Sequence, residues 1–135
     1  MIDVTCALII RDRKVLIAQN GPESDHAFQW EFPGGKVKTG ESAHSCIIRE
    51  IEEELGIAIE VKEEMLSVTH DYGNKQIRLL PFICTILSGF VQLNEHIAIS
   101  WVNFGELQKM DLSEADRRLI LEPKNQLILK KYIGE

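Results

Sequence analysis

Gly35-Lys36-Val37-Lys38-Thr39-Gly40-Glu41-Ser42-Ala43-His44-Ser45-Cys46-Ile47-Ile48-Arg49-Glu50-Ile51-Glu52-Glu53-Glu54-Leu55-Gly56-Ile57 is the stretch on which the reading of this chain turns. From Ser42 to Leu55 it holds mostly good helix formers, and Gly56 stands where a left-handed C-cap belongs, so a helix is predicted over residues 42–55. With Glu50 at zero and about 100° per residue, Glu53 falls at about 300° and Glu54 at about 40°, so three carboxylates share one face. Ile48, Ile51 and Leu55 cluster between about 100° and 160°, with Ile47 at about 60° on the border, giving an apolar stripe for docking on a sheet. The acids therefore sit beside the docking stripe and converge on one spot. Carboxylates at i, i+3 and i+4 repel by a few tenths of a kcal/mol per pair, roughly, in an isolated helix. Arg49, four residues before Glu53, supplies one cation against three acids. The remainder reads either as a solvated acidic face or as a divalent metal site. With no Cys or His spaced to join the acids, a metal would be Mg²⁺, or Mn²⁺ as a substitute, rather than zinc.

Outward from the helix, the elements alternate in kind. Ile2 to Ile10 and Val15 to Gln19 are apolar runs around Arg11-Asp12-Arg13-Lys14, a hairpin signature. Asn20 to Ala27 has loop composition and leads into Trp30-Glu31-Phe32-Pro33-Gly34-Gly35, whose glycines allow a tight turn and a close approach. Val61 to His70, Ile77 to Leu87, Phe90 to Leu93 and Ile97 to Val102 read as strands. Pro81 argues for an edge position or a bulge in the second of them. Ser113 with Asp116 is a weak capping box ahead of a C-terminal helix that Pro123 breaks or kinks. Hairpin strands with a few helices packed on the sheet predict an α+β fold.

At 135 residues, the chain fits a single domain spanning 1–135. A net charge of −6 leaves no surplus of Lys and Arg for a nucleic acid polymer or an anionic membrane, so any phosphate chemistry must recruit cations locally. Cys6, Cys46 and Cys84 are widely spaced in apolar runs and read as buried free thiols. No stretch reaches the roughly 18 apolar residues of a membrane span, and the first ten residues lack a basic leader region, which makes the cytoplasm the expected location. Monomer and homodimer stay equally open.

The spacing itself is the strongest signal. Gly35, five residues, Glu41, seven residues, Arg49-Glu50-Ile51, one residue, Glu53-Glu54, one residue, Gly56-Ile57 resembles the Nudix box at every constrained position. Seven fixed identities and two aliphatic positions arise by chance in about one window in a billion. The resemblance implies an α/β/α sandwich around a mixed β-sheet and hydrolysis of a nucleoside diphosphate linked to a further group. It also implies Mg²⁺ on Glu50, Glu53 and Glu54, with the Gly35 carbonyl as a further ligand and Glu41 as an auxiliary one. Glu50 would double as the candidate base, and Arg49 would orient the carboxylates. The run Trp30 to Val37 is similar to the MutT-type and CTP-pyrophosphohydrolase-type branches, as is Glu95 six residues before Trp101. In that branch an acid near Glu95 binds metal or activates water; otherwise Glu95 is a turn carboxylate.

Substrate selection is expected outside the box. Asp116 stands where MutT-like sequences place a base-reading Asn, and it is either part of the helix cap or a group that reads a base edge. Phe28, Trp30 and Phe32 are candidates for stacking on a base, Lys75 and Arg78 for meeting phosphate, and His70 and His96 for proton transfer. The expected reaction is that of a (d)NTP diphosphatase giving NMP and diphosphate. House-cleaning of oxidised nucleotides such as 8-oxo-dGTP is the first expectation, with CTP or a modified dCTP as the alternative. A non-catalytic nucleotide-sensing module would be expected to lose box carboxylates, and this chain keeps them all. Decapping of RNA or cleavage of dinucleoside polyphosphates would call for a basic groove or insertions that the chain lacks.

Overall fold

The computed structural model describes all 135 residues. Its central strand, β1 (Ile2–Arg11), is buried without interruption from Thr5 to Ile9, as expected of a strand covered on both faces. It pairs in parallel with β7 (Gln76–Ser88) from Ile2↔Ile77 to Ile9↔Cys84, and antiparallel with β4 (Gly34–Lys36) at Val4 to Cys6. β2 (Lys14–Gln19) returns from β1 through Asp12 and Arg13, both with positive φ (52° and 61°), in a two-residue hairpin turn. β2 in turn carries β3 (Trp30–Glu31) and β8 (Ala98–Val102), each antiparallel. The main path runs β3-β2-β1-β7-β5, a mixed sheet.

Side chains alternate across this sheet, so it serves two cores. Cys6, Leu8, Val15, Ile17, Leu79 and Ile83 face α3 (Glu114–Leu121) and α4 (Pro123–Ile133). Ala7, Ile9, Leu16, Phe82 and Cys84 face α1 (Ala43–Leu55) through Ile47, Ile51 and Leu55. This is the expected α+β fold, an α/β/α sandwich. No helix is long and apolar enough to cross a membrane.

Several elements differ from expectation. The single strand read over 61–70 is two, β5 (Ala58–Glu64) and β6 (Val68–Asp71), both pairing with β7. β7 is interior rather than an edge. Pro81, which has no N–H to give, lies opposite the break between its two partners, where the Met65 amide still donates to the Pro81 carbonyl. Asn125 bridges that break with both ends of its buried amide, accepting from the Leu66 N–H at 2.7 Å and donating to the Leu66 carbonyl at 2.9 Å. Phe90 to Leu93 is not a strand. That segment instead crosses the C-terminal end of α1, where the Gln92 amide donates to the Leu55 carbonyl and the Asn94 amide to Glu54. The Asn94 side chain donates to the Glu53 carbonyl as well, so carbonyls left open at the helix end find partners. An unforeseen helix, α2 (Phe104–Lys109), starts at a complete capping box between Asn103 and Glu106. Ser113 and Asp116 form none.

Candidate functional site

α1 begins at Ser42, whose hydroxyl accepts from the Ser45 amide, and ends at Gly56 with φ of 67°, as its sequence predicts. The buried arc is wider than the predicted stripe, however. Ile47 is fully buried, Ile48 only partly, and Glu54 lies inside the arc with 4% of its surface exposed. The three acids therefore do not share one environment. Arg49 holds two of them: its Nη1 donates to Glu50 at 2.9 Å and to Glu53 at 3.2 Å. Its Nε and Nη2 grip Glu41 at 2.7 and 2.9 Å, a bidentate pair that lowers the Glu41 carboxyl to about 2. Bonds to Glu41 and then Glu50 keep the guanidinium firmly protonated. With Arg49 spread across these acids, they do not converge on a single point as predicted.

Glu54 points the other way. Burial, then the charges of Glu31, Glu95 and Glu50, push its carboxyl up to about 10. Its Oε2 is buried without a hydrogen-bond partner. Glu54, Glu31, Glu95, Glu23 and His96 line one cleft of ≈ 450 Å³. Glu95 reaches it because residues 92–94 are fastened to the end of α1. A buried orphan carboxylate oxygen beside further acids has the oxygen chemistry a hard divalent cation takes, and such an ion would offset the repulsion, although no three of these carboxylates stand close enough together to enclose one as they are.

Gly34 and Gly35 are extended strand residues rather than a tight turn, but the predicted close approach is real. A Cβ on Gly34 would run into the backbone of Thr5 and Cys6, and one on Gly35 into the Glu50 carboxylate. The Gly35 carbonyl accepts from the Thr5 hydroxyl at 3.1 Å. Cys46, buried beneath, lies within thiol hydrogen-bonding distance of the Gly35 and Lys36 carbonyls. All three cysteines are free and buried.

A second cavity of ≈ 230 Å³ lies on the other side of Glu31, with Phe32, Tyr72, Ile77 and Leu79 in its walls and Asp116, Lys75 and Glu31 itself among its polar members. At this volume, below the roughly 300–1,000 Å³ of whole-ligand pockets, it suits a flat ring rather than a complete nucleotide. Asp116 is 4% exposed and accepts from the Phe32 amide at 3.0 Å across 84 residues of sequence. Burial first, then the Glu31 charge, push it up to about 8. So Asp116 belongs to this cavity and not to a cap.

The remaining predicted residues divide. Phe32 is buried in the cavity wall, whereas Phe28 is 54% exposed, has a φ of 63° and lines neither cavity. Trp30 packs against the core. Lys75 reaches the cavity mouth and faces Asp25 at 3.8 Å. Arg78 does not: Asp3 holds it in a two-point pair on the exposed sheet surface, at 2.9 and 2.8 Å. His70 packs edge-on against Tyr72, outside both cavities. His96 is buried, with Nε2 2.9 Å from Glu31. Two residues escaped the sequence reading. Glu31 sits between Trp30 and Phe32, and its polar side chain in an aromatic run was the available signal. Tyr72, in the gap between two predicted strands, lines the cavity, and its hydroxyl accepts from the Ala115 amide.

Known proteins resemble the chain in sequence and in fold. The family model described as the NUDIX domain matches residues 1–122. The chain is 38% identical over 120 residues to the CTP pyrophosphohydrolase of Escherichia coli (strain K12), covering 89% of each. It is 35% identical over 75 residues to the 8-oxo-dGTP diphosphatase of Proteus vulgaris, covering 56% of this chain and 67% of that protein. Among solved structures, the MutT protein from Methanosarcina mazei Go1 superposes with a TM-score of 0.81 at 27% identity, covering 94% of both chains.

Proposed function

The chain belongs to the Nudix family, and from that premise we propose that it is a metal-dependent nucleoside triphosphate pyrophosphohydrolase, taking a (d)NTP and water to the (d)NMP and diphosphate. The observation that carries this reading is Glu54, a buried carboxylate with an unpartnered oxygen, set among Glu31, Glu50 and Glu95. Such a cleft repels a triphosphate unless cations accompany it. The family uses divalent ions, and we assign Mg²⁺ to two sets of donors, Glu54 and Glu95 in the cleft and Glu50, Glu53 and the Gly35 carbonyl beside Arg49, with Glu41 auxiliary through Arg49. When bound, the ion supplies charge neutralisation on the phosphate oxygens and lowers the pKa of a coordinated water.

The chain's own residues do the rest. Arg49 fixes the rotamers of Glu41 and Glu50 through four short contacts, counting Glu53. Glu50, aimed at the Gly35 backbone, is the candidate base that takes the proton of the attacking water. Glu95 is the second candidate, placed opposite Glu54 by the 92–94 segment. The base enters the smaller cavity between Phe32 and Tyr72, with Asp116 at its polar edge. A protonated carboxyl there offers a donor beside an acceptor. Lys75, at the same mouth, is available to the sugar–phosphate side. We treat residues 1–135 as one domain, since Leu129 and Ile133 of α4, beyond the family match, join the same core as β1.

Oxidised nucleotides such as 8-oxo-dGTP are the substrate class we assign first, in line with the Proteus vulgaris relative. CTP or a modified dCTP is the second reading, favoured by the 38% identity to the Escherichia coli enzyme. Free nucleotides make the cytoplasm the expected compartment. The test is phosphate release from a panel of nucleoside triphosphates with Mg²⁺ and added inorganic pyrophosphatase. Turnover of 8-oxo-dGTP above dGTP supports the first assignment, and turnover of CTP above it supports the second. No turnover of any nucleotide would end the enzyme reading.

A further inference from the structure

Glu31 is the one acid whose side chain lines both the acidic cleft and the ring-sized cavity. Strand β3 puts it there: Phe32 turns into the cavity wall and buries, while Glu31, one residue earlier, leaves 25% of its side chain accessible. Its carboxylate is held at both oxygens by neighbours in the cleft wall. The Asn20 amide donates to Oε1 at 3.2 Å, and His96 Nε2 meets Oε2 at 2.9 Å with its imidazole almost wholly buried. A carboxylate has about four lone-pair sites, so with one contact to each oxygen two stay open on a side chain that is still partly accessible.

A nucleotide with its base in the cavity and its phosphates in the cleft must pass its sugar across the wall between them. We propose that Glu31 is a specificity-determining residue that accepts hydrogen bonds from the sugar hydroxyls. The assignment rests on the nucleotide reading above and deepens it. Sugar hydroxyls are donors, the carboxylate is a fixed acceptor, and a charge-assisted bond of this kind is stronger than a neutral one. Removing the hydroxyls leaves a partly buried acceptor facing apolar carbon, which costs more than a missing contact alone.

The experiment is a cycle between substrate and protein. The kcat/KM is measured for a nucleoside triphosphate and its 2′-deoxy and 2′,3′-dideoxy counterparts with the same base, in the wild type, Glu31→Gln and Glu31→Ala. Each ratio is taken within one protein, so a general loss of activity or stability cancels. The wild type is expected to lose at least about tenfold on going to the dideoxy substrate. Glu31→Ala is expected to bring that ratio to within about twofold of unity, with Glu31→Gln between the two because its amide oxygen still accepts. Where a variant is too slow to assay, calorimetric binding of the nucleoside monophosphate and its dideoxy form gives the same ratio. An unchanged ratio in Glu31→Ala would overturn the assignment, as would a wild type indifferent to the hydroxyls. An equal loss on all three sugars would move Glu31 to the metal cluster instead. If the wild type hydrolyses no nucleotide, the pyrophosphohydrolase reading fails and this assignment with it. If turnover is present but the ratio is unmoved, only Glu31 is misassigned.

Discussion

Replacing Asp116 by Asn removes one titration while keeping the oxygen that accepts the Phe32 amide. In the folded chain, burial and the Glu31 charge push Asp116 from 3.8 up to about 8. A carboxyl raised in this way binds its proton more tightly folded than unfolded, so its contribution to stability is complete below about 3.8 and is lost progressively as the pH rises to about 8. One pKa unit corresponds to about 1.4 kcal/mol, so between pH 5 and 8 the wild type should lose up to about 4 kcal/mol on this account, as a ceiling. Asn has nothing to titrate, and the loss should vanish from the variant. The assay is urea unfolding of both proteins at pH 5 and 8 with a chelator present, which keeps metal linkage out of the comparison. The difference of differences should be at least about 1 kcal/mol, with the wild type the more pH-sensitive protein. Parallel pH profiles would refute the claim that Asp116 is held in a proton-retaining environment.

The two adjacent glycines should fail differently when each is changed to Ala. Gly34→Ala meets the backbone of β1, which cannot yield, and should cost about 1–3 kcal/mol of stability in thermal or denaturant unfolding. Gly35→Ala meets only the flexible end of Glu50 and should leave the melting temperature nearly unchanged while turnover falls by about 10²-fold; equal melting losses in both would contradict this division. Asn125→Ala strips partners from the Leu66 N–H and carbonyl and should cost about 2–5 kcal/mol, read as a fall in melting temperature of roughly 10 °C. A shift below about 2 °C would show that water replaces the amide without loss.

Local pattern carried most of what was legible before the fold was known. The helix over Ser42 to Gly56, its caps and the first hairpin each depend on neighbours within a few residues, and sequence periodicity reports such neighbours directly. The acids of α1 were placed at the correct angles, yet those angles say nothing about what packs outside the helix. Glu54 is buried where the segment tied to the end of α1 by the Gln92 and Asn94 amides brings Glu95, and β3 brings Glu31, to the same cleft, neighbours that are distant in sequence. The apolar content of Phe90 to Leu93 suggested a strand, whereas its backbone closes the end of α1 and sets Glu95. Asp116 was caught between cap and base reader for a related reason: its partner, the Phe32 amide, lies 84 residues away. The Asn103 to Glu106 capping box was readable in principle, since Asn substitutes well for Ser at that position.

Product analysis of the wild type and Glu53→Gln decides whether the segment from Gly35 to Ile57 is a metal-dependent phosphoanhydride-cleaving site. Nucleoside triphosphate is supplied with Mg²⁺ and with chelator in parallel. Glu53 is half exposed, 52% at its side chain, so the variant should unfold like the wild type. The wild type should release equimolar nucleoside monophosphate and diphosphate with Mg²⁺ and none with chelator, and Glu53→Gln should be at least about 10²-fold slower. A folded Glu53→Gln protein working at the wild-type rate, or full activity in chelator, would contradict that assignment.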